Sequence, residues 1–197
     1  MAAERPIDFP LPPNLPKPAD DGMATHLMGM PIPPISLRST KGRSVALRSL
    51  GAPRTVIYCY PMTGVPGKPL PEGWDLIPGA RGCTPQTCGF RDHYQELKDL
   101  KAEVLGLSTQ TTEYQREAVT RLHLPFALLR DKDLALARAL RLPTFEFAWG
   151  FGSRRAELIK RLTLVLRDGR IEHVFYRVFP PNMDAERVGA WLAQHPR

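Results

Sequence analysis

Short apolar runs alternate along the chain with segments of helical periodicity. Runs rich in β-branched and aliphatic residues indicate buried strands at TVIYCY (55–60), AEVLGLST (102–109) and FALL (126–129). Apolar side chains recur at the spacing of a helix with one buried side in residues 86–102, 111–124 and 132–142. Because strands and helices alternate, the pattern predicts a partly parallel central sheet covered by helices.

Two hairpins and a closing helix complete the pattern. ISLRSTKGRSVALRSL (35–50) predicts two strands joined at Lys41-Gly42, and KRLTLVLRDGRIEHVFYRV (160–178) turns at Asp168-Gly169, a typical tight-turn dipeptide. Residues 184–195 form an amphipathic helix opened by Asp184. Antiparallel strands beside a parallel sheet predict an α/β thioredoxin-like fold, with a central mixed β-sheet flanked by helices. A flavodoxin-like sheet is the alternative, but it does not need the second hairpin.

Proline-rich segments divide the chain. Residues 1–33 are dense in proline, which fixes φ and removes a backbone donor. They predict an extended arm, either ordered against the domain or disordered. Residues 34–197 then form one domain. Within it, prolines and glycines mark residues 62–82 as an irregular loop inserted before a helix.

Composition narrows the class of protein. The 197 residues are 43% hydrophobic and 24% charged, as is usual for globular domains. The net charge of +7 comes from scattered basic residues, so we expect no nucleic-acid partner. No apolar run approaches the roughly 18 residues that span a membrane, and the N-terminus lacks the apolar core of a signal peptide. We therefore predict a cytoplasmic protein with no membrane partner.

Cys83 and Cys88 carry the candidate chemistry, because cytoplasmic cysteines serve catalysis, redox exchange or metal binding more often than structural disulfides. Both lie in GARGCTPQTCGFRDHY (79–94). Thr84 and Pro85 resemble a helix N-cap and a first-turn proline, which places Cys83 at the start of a helix. The helix dipole and free backbone N–H groups there favour an anionic thiolate. A buried structural cysteine is the alternative.

The spacing of Cys88 from Cys83 limits how the two can bond. Five helical positions correspond to about 7.5 Å of rise and about 500° of rotation, whereas a disulfide needs Cα atoms within about 7 Å. A bond between them therefore requires the first helical turns to unwind, which suits a labile catalytic disulfide. Only His93 joins them locally as a possible ligand, so we expect no metal site. Cys59, inside an apolar strand, is predicted to pack in the core.

The segment GCTPQTCGFRDHYQELKDLKAEVLGLSTQ (82–110) resembles the peroxiredoxin family, in its peroxiredoxin Q or bacterioferritin comigratory protein branch. There, G-C-T-x-x-x-C-x-F-R-D follows the first long strand. The likeness covers most of residues 34–194. It implies a thioredoxin-like fold and an atypical two-cysteine peroxidase that reduces hydrogen peroxide or organic hydroperoxides. It also implies a thioredoxin-like reductant and no cofactor: neither metal, haem nor flavin. A monomer and a homodimer are both compatible with it.

The resemblance assigns roles to individual residues. It places Cys83 at the peroxidatic cysteine, Cys88 at the resolving cysteine, and Arg161 at the arginine that positions thiolate and peroxide. The chain departs from the family where Ala80 replaces a threonine three residues before the nucleophile and where Gln86 replaces a frequent glutamate. Thr84 and Thr63 are the candidates for the missing hydroxyl.

Two other functions are compatible with the same residues. A thiol–disulfide oxidoreductase could share the fold, although its usual C-x-x-C is absent. A non-enzymatic redox sensor could use a Cys83–Cys88 disulfide to reshape the helix for a partner.

Overall fold

A seven-stranded mixed sheet forms the centre of the computed structural model, which describes residues 11–149 and 154–196. Its strands are β1 (Ser36–Ser39), β2 (Ser44–Ala46), β3 (Arg54–Cys59), β4 (Ala102–Ser108), β5 (Ala127–Arg130), β8 (Leu162–Arg167) and β9 (Arg170–Phe175). The strand order is β2-β1-β5-β4-β3-β8-β9. Strands β3, β4 and β5 are parallel, and the remaining pairs are antiparallel. The predicted partly parallel sheet with added antiparallel strands is confirmed.

Helices cover both faces of this sheet. They are α1 (Cys83–Asp92), α2 (Tyr94–Asp99), α3 (Thr112–Arg121), α4 (Ala135–Leu140) and α5 (Asp184–Gln194). Alternate residues of β3 point to opposite faces, so Tyr58 packs in a core with α1, α2, α3 and α5. Ile57 and Cys59 pack in a second core with α4. Cys59 is fully buried there, as predicted.

The helix that carries both cysteines differs from the prediction in two ways. It begins at Cys83, with Gly82 as its N-cap in the left-handed region at φ 103°, so the prediction that Thr84 caps it is wrong. The predicted continuous helix is also interrupted at His93, where α1 ends and α2 begins. Leu97 of α2 is fully buried and lies against Gly189 of α5.

Two predicted elements are shorter in the structure. Helix α4 was expected over 132–142 but begins at Ala135, because the Asp131 carboxylate accepts from the backbone N–H groups of Leu136 and Ala137 at 3.2 and 2.9 Å. The second strand of the first hairpin ends at Ala46, and Leu47–Ser49 forms a 3₁₀ helix.

The sequence pattern missed a two-stranded ribbon. Strands β6 (Thr144–Trp149) and β7 (Arg154–Ile159) pair with each other, apart from the main sheet. Phe147 and Leu158 of the ribbon pack with Trp74 and Ala80 of the inserted loop. Residues 62–82 contain the 3₁₀ helix Trp74–Leu76 and are otherwise irregular, as predicted. The ribbon thus buries its apolar side on the loop, a pairing that local periodicity does not reveal.

The described part of the arm, residues 11–33, lies against the domain; residues 1–10 of the predicted arm fall outside the described residues. Leu27 is fully buried in the α4-side core. The backbone N–H of Gly29 donates to the Ile171 carbonyl of β9 at 2.8 Å. Asp21 accepts from Lys160 at 2.9 Å, so the side chain of Lys160 faces the arm. Within the described ranges, no helix is both long and apolar enough to cross a membrane.

Candidate active site

Cys83 lies where the inserted loop meets the first turn of α1. Its side chain is 3% exposed. Gly82 precedes it in a conformation that L side chains rarely adopt, and a Cβ there would lie 2.3 Å from Cγ of Pro181. Glycine is therefore required for the approach of α1 to the 3₁₀ helix Pro181–Met183, and this approach fixes the position of Cys83.

The sulfur of Cys83 contacts three groups from different parts of the chain. The Arg161 Nη2 donates to Sγ at 3.2 Å, and the backbone N–H of Met62 donates to it at 3.4 Å. The thiol itself donates to the Ala80 carbonyl oxygen at 3.5 Å. The two N–H donors are directed at the position where a thiolate would carry its negative charge.

Arg161 is held by the loop that precedes α1. It is 4% exposed, and its guanidinium donates to the carbonyl oxygens of Gly79, Ala80 and Arg81 at 3.3, 3.1 and 3.2 Å. It also donates to the side-chain oxygen of Gln86. These oxygens are all neutral, so a thiolate at Cys83 would be the one anion in this set of acceptors. The sulfur of Cys83 thus lies between a permanently charged guanidinium and the start of a helix.

Gln86 connects Arg161 to a buried carboxylate. Its Nε2 donates to Oδ2 of Asp184 at 2.7 Å, and Oγ1 of Thr163 donates to the same oxygen at 2.7 Å. Asp184 is 1% exposed. Burial raises the pKa of its carboxyl group to about 6, despite the hydrogen bonds from Gln86 and Thr163 and the charge of Arg161. Sequence reasoning identified Asp184 only as a residue that opens α5.

Neither candidate hydroxyl is hydrogen-bonded to the sulfur. Oγ1 of Thr63 donates to Oε1 of Gln110 at 3.1 Å. Thr84, the second residue of α1, lines the cavity beside Cys83. Besides Arg161, the donor that reaches the sulfur is the backbone N–H of Met62, which residue patterns cannot identify because every residue except proline carries one.

Cys88 lies farther along the same intact helix. It is 8% exposed, and both it and Cys83 are free thiols. Burial raises the pKa of the Cys88 thiol, against the opposing charge of Arg91. In this conformation Cys88 is therefore a poor nucleophile, as expected if it reacts only after the helix opens.

A cavity of about 360 Å³ borders Cys83. Its apolar lining comes mainly from the inserted loop, and Leu11 of the arm adds to it. The loop residues are Met62, Val65, Pro66, Leu70 and Trp74. Lys68, Arg81 and Arg121 add positive charge. Among the described residues, no group of three or more His, Cys, Asp or Glu side chains is arranged to hold a metal ion.

Comparison with known proteins identifies the family. The Redoxin family matches residues 27–191. Peroxiredoxin Bcp of Escherichia coli strain K12 is 30% identical over 167 residues, covering 83% of this chain and 93% of that protein. Peroxiredoxin Q, chloroplastic, of Sedum lineare is 30% identical over 150 residues, covering 76% of this chain and 68% of that protein.

Solved structures support the fold assignment. Peroxidoxin BcpB from Mycobacterium tuberculosis aligns with a TM-score of 0.67 at 21% identity, covering 87% of this chain and all of that one (100%). Xanthomonas campestris peroxiredoxin Q aligns with a TM-score of 0.64 at 24% identity, covering 83% of this chain and 92% of that one. The thioredoxin-like α/β fold predicted from the sequence is confirmed. The chain belongs to the peroxiredoxin family, with the peroxiredoxin Q and Bcp proteins among its relatives.

Proposed function

We propose that this protein is a thiol-dependent peroxidase in which Cys83 is the nucleophile. The contact between Sγ of Cys83 and the buried guanidinium of Arg161, 3.2 Å long at a helix start, carries this proposal. The thiolate attacks the terminal oxygen of a hydroperoxide and the O–O bond breaks. Cys83 becomes a sulfenic acid, and the departing oxygen takes a proton to leave as water or an alcohol. Arg161 stabilises the negative charge as it moves from sulfur to the leaving oxygen.

Cys88 resolves the sulfenic acid in the second step of this cycle. Its thiolate attacks the sulfur of Cys83, the S–O bond breaks, and water leaves as a disulfide forms. Because both cysteines lie in one helix, α1 unwinds for this step and separates from Asn182 and Ala185, which lie against Gly89. Opening also exposes Cys88 to solvent and removes the burial that raises its pKa.

A thioredoxin-like dithiol closes the cycle. One of its thiolates attacks the Cys83–Cys88 disulfide, and its second thiol completes the exchange, so that the two electrons used for peroxide reduction are replaced. An exposed, strained bond in an opened helix suits this exchange better than a buried structural disulfide.

Cys88→Ser separates the two chemical steps. The reduced variant is expected to consume about one equivalent of hydrogen peroxide per chain and then stop, because Cys83 can be oxidised but not resolved. Peroxide consumption and intact-protein mass spectrometry without added thiol check this. Continued turnover of Cys88→Ser with a thioredoxin system would assign resolution to another thiol.

The cavity beside Cys83 favours hydroperoxides with an apolar substituent. Its volume of about 360 Å³ far exceeds the roughly 30 Å³ share of one water molecule in the liquid, and hydrogen peroxide is only slightly larger. An alkyl or aryl group would therefore be buried among Val65, Leu70 and Trp74. Each buried methylene contributes about 0.8 kcal/mol to binding.

Val65→Phe tests this preference, because Val65 is half-buried and lines the cavity. The variant is expected to lower kcat/KM for cumene hydroperoxide by roughly tenfold relative to hydrogen peroxide, since the added ring fills the space of the substituent. Leu76→Phe is the matched control, because Leu76 lies in the same loop but is 80% exposed. An unchanged ratio of the two kcat/KM values in Val65→Phe would show that the cavity does not select the substrate.

A further inference from the structure

One buried ionisable group has no part in the cycle described above. The carboxylate of Asp184 lies three hydrogen bonds from the sulfur of Cys83, through Gln86 and Arg161. It belongs to α5, far along the chain from both cysteines. Burying a carboxylate is costly unless it is paired or hydrogen-bonded, which makes its position beside the reactive centre informative.

The direction of these hydrogen bonds depends on the ionisation of Asp184. A glutamine amide has an oxygen that accepts and a nitrogen that donates, whereas a guanidinium only donates. Gln86 must therefore turn its oxygen to Arg161, and its nitrogen then needs an acceptor on the other side. The ionised carboxylate of Asp184 supplies it, and Thr163 donates to the same oxygen. Hydrogen bonds to an ionised carboxylate are roughly twice as strong as those to a neutral acceptor, so protonation of Asp184 would weaken its hold on the Gln86 amide.

We propose that ionised Asp184 is a positioning residue of the peroxidase, which fixes the amide of Gln86 and thereby holds the guanidinium of Arg161 against the sulfur of Cys83. The inference rests on the proposed function, in which Arg161 stabilises the thiolate and the leaving oxygen. Asp184 does not touch either reacting group; it acts through Gln86.

The proposal makes the reaction sensitive to mildly acidic pH. Burial raises the pKa of Asp184 to about 6. The charged groups that act on it are Arg161, which precedes β8, and Arg187 of α5, and both lower this pKa. The Cys59 thiol of β3 also interacts electrostatically with Asp184. As the pH falls through about 6, the carboxylate is protonated, and Gln86 holds the guanidinium of Arg161 less firmly against the sulfur.

A ratio of two rates isolates this effect. Oxidation of Cys83 by hydrogen peroxide and its alkylation by iodoacetamide both require the thiolate, but only the first depends on the placement of Arg161 over an oxygen. In the reduced full chain, the ratio of the peroxide rate to the alkylation rate is expected to fall roughly tenfold between pH 8 and pH 5. Its midpoint is expected at about 6. Mass spectrometry of the Cys83 peptide follows both reactions.

Asp184→Asn is expected to keep the ratio of the peroxide rate to the alkylation rate at its low value across the whole pH range. A residue that merely supported the fold would change both rates together. Arg187→Gln is the matched variant: it removes a charge that stabilises the carboxylate, so it should move the midpoint to higher pH. It should leave the ratio at pH 8 unchanged.

The outcomes separate this inference from the proposed function. A wild-type ratio that does not vary with pH, or an Asp184→Asn ratio equal to that of wild type, overturns the role of Asp184 while the peroxidase stands. The wild-type and Arg187→Gln measurements decide the matter even if Asp184→Asn does not fold. A wild-type peroxide rate no greater than that of free cysteine, with normal alkylation, overturns the proposed function itself.

Discussion

Cys83→Ser is expected to abolish peroxide turnover, lowering the rate by at least about a thousandfold. The hydroxyl of serine stays protonated where a thiol can ionise, and neither Cys59 nor Cys88 shares the environment of Cys83. That environment consists of the helix start, the guanidinium of Arg161 and the N–H of Met62. Hydrogen peroxide consumption with a thioredoxin system in excess measures the loss, and circular dichroism shows whether the variant is folded.

Cys59→Ala is the matched control for this prediction. Cys59 is fully buried in the opposite core, and burial raises the pKa of its thiol, so its removal should leave peroxide turnover close to that of wild type. Turnover that survives in Cys83→Ser but disappears in Cys59→Ala would reverse the assignment of the nucleophile.

Arg161→Met is expected to lower the second-order rate constant with hydrogen peroxide by about a hundredfold to a thousandfold, the usual cost of losing one preorganised donor at a site of developing charge. Methionine retains much of the length and apolar volume of the side chain. It cannot donate to Cys83 Sγ or to the carbonyl oxygens of Gly79 and Ala80. Arg161→Lys should recover only part of the rate, because an ammonium cannot reproduce the planar fork of donors. Stopped-flow measurement on the reduced protein checks both.

The adjacent Lys160 provides the control. Its ammonium contacts Asp21 of the arm at 2.9 Å, and a partly exposed ion pair of this kind contributes little to stability. The rate constant of Lys160→Met with hydrogen peroxide is therefore expected to stay within about threefold of the wild-type value. If the rate constant of Arg161→Met equalled that of Lys160→Met, the guanidinium would have no role in the reaction of Cys83.

The parts of this site that are local in sequence were predictable, and those that depend on distant contacts were not. The helix start at Cys83 could be recognised from its surroundings, although Gly82 and not Thr84 proved to be the cap. Arg161 was assigned by resemblance, and its position two residues before Thr163 agrees with a place at the start of β8. Nothing along the chain shows that Asp184 is buried, because an acidic residue at a helix start is explained by the helix dipole alone.

The fold shows the same division. Regular alternation of strands and helices predicted the main sheet, since its central strands bury both faces and its helices one. The ribbon of β6 and β7 packs instead on Trp74, a residue of an irregular loop. Irregular segments have no period from which a partner could be inferred, so the packing of the ribbon on Trp74 is seen only in three dimensions.

The contact between Gly82 and Pro181 joins the start of α1 to the segment that leads into the C-terminal helix. In the proposed cycle α1 opens before the disulfide forms, and this contact, with those of Gly89 to Asn182 and Ala185, has to be released first. The speed of opening is then set partly by how firmly the C-terminal helix holds α1. An enzyme whose α1 opens slowly leaves its sulfenic acid exposed to a second peroxide for longer, and the product of that encounter is a sulfinic acid. Resistance to inactivation by excess substrate is in this sense a property of the C-terminal segment as well as of the cysteines.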